Sequence, residues 1–434
     1  MKIKKIFIYL LIMFYLFQDS ISKMIKNSIV DNLDEMLVVI LFLWAMYNIF
    51  KKKKISKITF TIMIFTCLFS IIGIISCFVN SEFIISRVFV SNFLAIKFFI
   101  LIISVSSLDF SESDKKIIIN AIEFCCKLVM IVAIFNFIAP NIYSKVCPFA
   151  IVTYRFGLVS VTSLFYHTGR YGWFMLFMAL LYYSKYKLSN DKKDKHWMIL
   201  CILFSILSLR TKVIMSLIVI IVYECIINKK INIKKVLTSV VALACIAFIF
   251  GNVISNTYKL YFTDEEGTSA RQALFDNGVK IMKDYFPIGV GFGQYGSWYA
   301  RVYYSSYYYK YNMTKVYGLS PNGAFFGTDS FWSSIFGETG ASGTLIYIAL
   351  LIYIFRKLQL KKSQNEQCGV FILWATLAFL QTICESMGEP SFNSPPQNLF
   401  VALIIGIAFS NAKTENKVVN KGDKYNEKNC NFYA

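Results

Sequence analysis

Six arginines stand out in this sequence because of their positions. They lie in or next to alternate segments that connect the apolar runs, whereas the other connecting segments carry almost only lysine. These arginines are Arg87, Arg155, Arg170, Arg210, Arg271 and Arg301. Lysine is sufficient to orient a chain in a membrane. The planar guanidinium of arginine, in contrast, binds phosphate through two parallel hydrogen bonds and stays charged in a partly dry site. The pattern indicates a site that binds a phosphate-bearing ligand.

Arg210 and Arg271 have the positions best suited to such binding. Arg210 ends an apolar segment, at the level where an anionic lipid head group would lie. Arg271 falls in the first turn of a predicted helix capped by Thr268 or Ser269, where free backbone N–H groups also attract anions. Each has a plainer interpretation that stays open. Arg210 would then anchor a helix end at the membrane surface, and Arg271 would belong to an ordinary amphipathic surface helix.

Two carboxylates stand near the start of the apolar segment that begins at residue 331. Asp329 precedes this segment and is a candidate general base for a hydroxyl group. Its plainer interpretation is a helix cap. Glu338 is a second carboxylate, and the glycines around it, Gly337, Gly340 and Gly343, would let another helix approach closely.

A glycine-rich stretch and a tyrosine-rich run lie between Arg271 and Asp329. The stretch 287–296 follows a predicted helix rather than a strand, so we reject a nucleotide loop and expect a turn that allows close approach to a ligand. Tyr295 and Arg301 are candidate substrate-binding residues in this region. The aromatic faces of Tyr303–Tyr311 would stack on sugars, or would form an interfacial aromatic belt.

Composition sets the class of protein that must position these residues. Of the 434 residues, 56% are hydrophobic and 16% are charged, with a formal net charge of +20. Soluble domains carry about 25% charged residues. The sequence therefore predicts an all-α polytopic membrane protein and excludes a disordered, collagenous or disulfide-rich secreted chain. Because the positive charge sits in short clusters between apolar runs, we expect no nucleic-acid partner, and two histidines predict no metal site and no cofactor.

Apolar runs predict about 12 transmembrane helices and one large external loop that contains short helices. The runs are 5–22, 36–50, 58–79, 88–107, 117–139, 170–184, 197–209, 211–228, 236–254, 331–355, 368–386 and 397–411. The chain then divides into a membrane domain 1–254, an external loop 255–330, a membrane domain 331–411 and a tail 412–434. Basic residues such as Lys51–Lys54 fall in alternate connecting segments, which places both termini in the cytoplasm.

At this point the sequence resembles the bacterial superfamily of O-antigen polymerases and O-antigen ligases, which includes capsule polymerases of the Wzy type. The ligase branch has a His, then Asn, Ser or Gln, nine residues, and Gly-x-x-Gly. Here Asp329 and Ser330 precede Gly340 and Gly343 with that spacing. The missing His argues against a ligase and favours a polymerase.

Further segments carry the same resemblance, which covers about residues 150–360 by motif. Arg271-Gln-Ala-Leu-Phe275 is similar to the external Arg-x-x-x-Leu of the superfamily, with Phe at the last position. The segment 287–293 is similar to the stretch between the two motifs. Arg155 and Arg210 match more loosely the arginines before and after the middle spans.

The resemblance implies glycosyl transfer on the outer face of the cytoplasmic (inner) membrane. Donor and acceptor would be undecaprenyl-diphosphate-linked glycans, and undecaprenyl diphosphate would leave with inversion and without a metal. Arg210 and Arg271, with Arg155, would stabilise the leaving diphosphate, and Asp329 would accept the hydroxyl proton. Arg155, Arg210, Arg271, Arg301, Tyr295 and Glu338 would bind the diphosphate and sugars. Membrane lipid and a chain-length regulator protein would be further partners.

Two other functions remain open at this stage. An O-antigen ligase would use the same donor chemistry to move a finished glycan to another acceptor. A flippase for lipid-linked oligosaccharides belongs to a different class, and ionisable residues within the apolar runs favour it, because such residues are by default functional candidates. The residues of this kind that favour transport are Lys97, Glu123 and Lys127.

Overall fold

A computed structural model describes residues 2–53, 55–80, 84–155, 157–227, 269–322, 326–328, 330–361 and 366–410. The helices of the first half are α1 (Lys2–Leu16), α2 (Gln18–Ile25), α3 (Ser28–Asp31), α4 (Leu33–Lys52), α5 (Lys57–Asn80), α6 (Ile85–Ser106), α7 (Glu112–Ile138), α8 (Pro140–Val146), α9 (Thr168–Ser189), α10 (Lys192–Ile206) and α11 (Thr211–Ile227). A two-stranded antiparallel hairpin, β1 (Thr153–Arg155) and β2 (Leu158–Ser160), lies between α8 and α9.

Within its described residues, the second half contains two helices of 20 residues or more and several shorter ones. Its helices are α12 (Ala270–Asp284), α13 (Trp298–Val302), α14 (Ser306–Lys310), a 3₁₀ turn (Met313–Lys315), α15 (Phe331–Leu360), α16 (Glu366–Glu385) and α17 (Gln397–Phe409). The short helices α12 to α14 fall in the predicted loop 255–330, of which the structure describes the part from residue 269 onward.

Five helices in the described ranges, α4, α5, α6, α7 and α15, are long and apolar enough to cross a membrane. Together α1 and α2 would make a sixth span with a bend of 70° between them, and α16 and α17 are apolar but shorter. This supports an all-α membrane protein. Each predicted span coincides with a described helix except 236–254, which lies outside the described residues, as does the tail 412–434. The number of twelve spans therefore stays a prediction.

Polar contacts sort the helix ends into two groups. At one end, which we call the basic end, Lys4 pairs with Asp114 at 2.5 Å and Lys52 pairs with Asp109. The opposite end, which we call the loop end, carries segment 269–330. Which side of the membrane each end faces stays a prediction, and the lysines favour a cytoplasmic basic end.

Contacts between loops hold the loop end together. The Asn80 amide at the end of α5 donates to the Gly289 carbonyl at 2.8 Å, and the Trp332 indole N–H donates to Ser386 Oγ at 3.1 Å. The Ser20 hydroxyl donates to the Leu164 carbonyl at 2.8 Å. Connections that are far apart in the sequence thus meet at one end of the bundle.

The predicted helix after Thr268 or Ser269 is confirmed as α12. The Ser269 hydroxyl accepts a hydrogen bond from the Gln272 backbone N–H, which satisfies one of the unpaired donors of the first turn. The helix ends at Asp284, three residues before Pro287. One face of α12 packs on α15, where the rings of Phe275 and Phe336 lie 5.6 Å apart.

The glycine-rich stretch 287–296 docks by its backbone onto a kink in α15. Gly340 has φ +61° inside this helix, and the chain bends there. The Val290 and Gly291 N–H groups donate to the carbonyls of Gly337 and Glu338 at 2.9 and 2.8 Å. The sequence predicted that stretch 287–296 approaches a ligand and that the glycines of α15 let another helix approach. The structure shows that these two glycine-containing segments approach each other.

We expect Gly340→Ala to destabilise the protein by at least about 2 kcal/mol, because a positive φ strains any L side chain and a Cβ would lie 2.4 Å from the Gly289 nitrogen. Gly388→Ala is the control, since nothing lies within 4 Å of its Cβ. Thermal melting of the detergent-purified protein measures both. Equal melting temperatures for the two variants would show that the docked backbone tolerates a side chain.

Candidate active site

Arg210 forms the centre of a polar cluster at the loop end, in the short connection between α10 and α11. Its Nε donates to Thr168 Oγ1 at 2.5 Å, and its Nη2 lies 2.9 Å from His167 Nε2. His167 caps the N-terminus of α9. The guanidinium is therefore fixed against the first turn of α9 and does not extend freely into solvent.

His167 must be neutral in this arrangement. Its Nδ1 lies 3.1 Å from the Gly169 N–H, and its Nε2 faces the Arg210 guanidinium, which only donates. A neutral imidazole has one acceptor nitrogen, so it satisfies one of these donors at a time. Burial, with the positive charges of Arg210 and Lys212, lowers the pKa of His167 from 6.5 to about 4.

Lys212 and Glu389 form an ion pair beside His167. Both side chains are about one fifth exposed, 17% and 22%. Gln397 Nε2 donates to the other carboxylate oxygen of Glu389 at 2.6 Å. Burial alone would raise the pKa of Glu389, but the Lys212 ammonium holds it below its usual range. Glu389 therefore remains an anion that fixes Lys212 in place.

Glu385 lies one helical turn before Glu389 and is fully buried. It accepts a hydrogen bond from Gln381 Nε2 at 2.9 Å through one oxygen, and its other oxygen, Oε2, has no hydrogen-bond partner among the described residues. A buried carboxylate without such partners loses its hydration without compensation, which favours the neutral acid. Because the Lys212 ammonium already pairs with Glu389, we assign the proton to Glu385.

Two more arginines complete what we call the cationic cluster: Arg155, Arg170, Arg210 and Lys212. Arg170 pairs with Asp19 and also acts electrostatically on Glu389. Arg155 donates to the Leu209 carbonyl at 3.4 Å. Its positive charge also lies near enough to His167 to help lower the pKa of the imidazole.

The charges of this cluster do not cancel. Its four cations face two carboxylates, Asp19 and Glu389, while Glu385 is neutral. Within the described residues the site therefore has two positive charges in excess. A site of this kind favours a ligand with two negative charges.

Tyr295 and Glu338, two predicted substrate-binding residues, meet inside the protein. Glu338 is 4% exposed, and its Oε1 accepts the Tyr295 backbone N–H at 3.1 Å. The Tyr295 ring is fully buried, and its hydroxyl donates to the Leu274 carbonyl at 2.7 Å. These contacts tie the glycine-rich stretch to α12 and α15. Binding of substrate by either side chain stays a prediction.

The other predicted residues are more dispersed. Arg271 lies in the first turn of α12, on the helix that packs against α15. Arg301 is exposed at the end of α13. Asp329 lies outside the described residues, but its neighbour Phe331 packs on Phe392 with ring centroids 5.2 Å apart. The start of α15 is thus in contact with the segment that carries Glu389.

The sequence analysis identified Arg155 and Arg210 as candidate diphosphate-binding residues. It did not identify several residues that lie beside them in the structure. These are Asp19, His167, Lys212, Glu385 and Glu389. His167 and Glu389 carry weak signals, since each is an ionisable residue at the mouth of an apolar run. Glu385 carries a signal of another kind, because an ionisable residue inside an apolar run is a functional candidate by default. No group of three or more His, Cys, Asp or Glu that could hold a metal occurs among the described residues.

A comparison with known protein families gives a match in the middle of the chain. Residues 196–348 match the O-antigen ligase family (Wzy_C). This range contains Arg210 and Arg271 and is consistent with the O-antigen polymerase and ligase superfamily. The family indicates glycosyl transfer with lipid-linked glycan substrates. No curated protein matches the chain. His167 and Glu389 lie outside the matched range.

We expect the lowered pKa of His167 to make the protein lose stability as the pH falls from about 6.5 to about 4. In this range the unfolded chain binds the proton and the folded chain does not, so protonation favours unfolding. The melting temperature of the wild type should fall more steeply over this range than that of His167→Gln, which keeps an acceptor for Arg210 but does not titrate. Parallel curves would contradict a buried neutral histidine.

Proposed function

We propose that the protein is a polysaccharide polymerase that joins undecaprenyl-diphosphate-linked oligosaccharide repeat units on the outer face of the cytoplasmic membrane. The product would be an O-antigen or a capsule polysaccharide. The family match supports glycosyl transfer of this general type. The observation that carries the proposal is the cationic cluster at the loop end, since it has the charge that this leaving group requires.

The leaving group determines what the site must stabilise. A diphosphate that joins a lipid to a sugar carries two negative charges, and a further charge develops as the bond to the anomeric carbon breaks. Arg210, Arg155 and Lys212 would meet these oxygens, with Arg271 supplied from α12. Preorganised donors of this kind stabilise the developing charge without a metal. The acceptor hydroxyl would attack from the opposite face of the sugar, which gives inversion.

Asp329 is the proposed general base for the acceptor hydroxyl. Glu389 is a carboxylate of the same cluster, paired with Lys212, but it is poorly suited to this role. Its lowered pKa makes it a weak base, and it already accepts bonds from Lys212 and Gln397. Glu389 is better suited to hold Lys212 at the diphosphate.

The sugar chains would lie along the surface of α13 and α14. Arg301 is exposed there, and Trp298, Tyr303 and Tyr309 expose 50%, 65% and 57% of their surface. Aromatic faces of this kind stack on the apolar faces of sugars. Tyr295 and Glu338, which are buried below them, would hold the shape of this surface. A contact with a chain-length regulator protein stays a prediction.

One observation favours each alternative. The family is described as O-antigen ligase, and a ligase would use the same cationic cluster. A lipid-linked oligosaccharide flippase is favoured by Lys97, which is 2% exposed within α6 and pairs with Asp34. Glu123 and Lys127 argue less for transport, because Glu123 pairs with Lys185 and Lys127 lies over the Trp197 ring.

We expect Arg210→Ala to lower the rate of polymerisation by about 10²–10³-fold, because the developing diphosphate charge loses its central donor. Arg210→Lys keeps the charge but not the paired hydrogen bonds, so it should restore only part of the rate. Arg356→Ala, an exposed arginine at the basic end of α15, is the control. The measurement is transfer between purified undecaprenyl-diphosphate-linked repeat units.

The glycans of a deletion strain that carries these variants distinguish the three functions. A polymerase defect leaves single repeat units on the final acceptor. Long unattached polymer would indicate a ligase, and lipid-linked units retained in the cytoplasm would indicate a flippase. Either of the last two results would replace the proposed function.

We expect Asp329→Asn to lower kcat by about 10²–10⁴-fold with little effect on donor binding, because the amide cannot accept the hydroxyl proton. Glu389→Gln should instead weaken donor binding, since Lys212 loses the ion pair that fixes its position. Steady-state kinetics with varied donor separate the two effects. If Asp329→Asn keeps the wild-type kcat, another residue must be the general base.

A further inference from the structure

A cavity of about 590 Å³ lies between α1, α4, α6, α7 and α17, away from the cationic cluster. Its walls are mainly apolar and include Ile8, Leu41, Leu101 and Leu403. Trp44 borders the cavity and is itself 56% exposed, so the cavity is open beside α4. A space of this size and polarity in a membrane protein suits a hydrocarbon chain.

The cavity runs along the helices and not across them. Its lining extends on α1 from Lys4 to Tyr15 and on α4 from Lys52 to Leu37. At 1.5 Å per residue these distances are about 17 and 22 Å. One leaflet contributes about 15 Å of hydrocarbon. The cavity is therefore long enough for an acyl chain that enters from the basic end.

A buried ion cluster lies next to the deep end of the cavity. The Lys97 ammonium contacts Asp34 and Glu35 at 2.9 and 2.8 Å. Leu37 and Leu101, which line the cavity, each lie one helical turn beyond a member of this cluster. A hydrocarbon chain cannot continue past these charges without separating them. Their position thus limits the length of the occupant to about one leaflet.

The mouth at the basic end has charges of both signs. Lys4 pairs with Asp114 and Lys52 pairs with Asp109, and all four side chains line the cavity. Two ammonium groups and two carboxylates suit a head group that has a phosphate and an amine. The phosphate would lie between the lysines, and the amine would lie between the aspartates.

We propose that this cavity binds an aminophospholipid of the phosphatidylethanolamine class, drawn from the leaflet at the basic end. The phospholipid would stabilise the packing of α1 against α4 and α7. The isoprenoid tail of a substrate fits less well. Its diphosphate would lie at the loop end, and the Lys97 cluster separates that end from the cavity.

Fluorescence of Trp44 provides the test. The full-length protein in phosphatidylcholine bilayers is titrated with acyl-brominated phosphatidylethanolamine, phosphatidylglycerol or phosphatidylcholine. Bromine quenches indole emission at contact. Because the chain has six tryptophans, the difference between the wild type and Trp44→Phe isolates the signal from Trp44. We expect half-maximal quenching at a mole fraction at least tenfold lower for phosphatidylethanolamine than for the other two lipids.

Two kinds of variant separate binding in the cavity from contact with bulk lipid. The double variant Leu41→Phe and Leu403→Phe fills the cavity, and Leu43→Phe is its control, because Leu43 is exposed on α4. The pair Lys52→Ala and Asp109→Ala removes one half of the mouth and leaves the walls intact. For both double variants, the mole fraction of phosphatidylethanolamine at half-maximal quenching should rise at least tenfold. Leu43→Phe should keep the wild-type value.

Three results would overturn the proposal. Equal quenching by all three lipids would show contact with bulk lipid only. Selective quenching that persists in the cavity-filling variant, with a melting temperature like that of the control, would place the lipid elsewhere. Displacement of the brominated lipid by undecaprenyl phosphate, but not by unlabelled phosphatidylethanolamine, would identify an isoprenoid occupant.

Discussion

The ion pair between Lys212 and Glu389 is the interaction on which the rest of the site depends. Four cationic side chains lie together at a partly buried end of the bundle, where their repulsion is weakly screened. Glu389 and Asp19 offset part of this repulsion, and the neutral His167 adds none. The two positive charges that remain would suit a ligand with two negative charges. The segment 386–396, which carries Glu389, is itself fixed because Phe392 is buried in the core.

A second constraint comes from backbone packing between the glycine-rich stretch and the kink of α15. Here the N–H groups of Val290 and Gly291 donate to backbone carbonyls of α15, so these hydrogen bonds fix the loop to the helix. The Glu338 carboxylate accepts one further N–H of the same stretch, that of Tyr295. The loop end thus presents α12 and α13 on a fixed support. Such a support would suit glycosyl transfer, because small misplacements of bound sugars cost rate.

The two ends of the molecule have different roles in this picture. The loop end holds the cations and the exposed aromatic rings, and it would perform the transfer. The basic end holds paired charges around a hydrocarbon-sized cavity, and it would bind the surrounding lipid. The buried Lys97 cluster lies between them. It joins α4 to α6 and lies between the cavity at the basic end and the cationic cluster at the loop end.

The sequence by itself determined the helical class, the positions of the apolar helices in the described ranges, the start of α12 and the position of Arg210 at the end of an apolar segment. These follow from composition, apolar run length and local capping, which depend on neighbours in the chain. Only the tertiary structure brought His167 and Glu389 to Arg210 and its neighbour Lys212, since His167 lies 43 residues before Arg210 and Glu389 lies 179 residues after it. It also showed that Tyr295 and Glu338 face each other inside the protein. Burial depends on which elements pack together, and no local pattern in the chain encodes that.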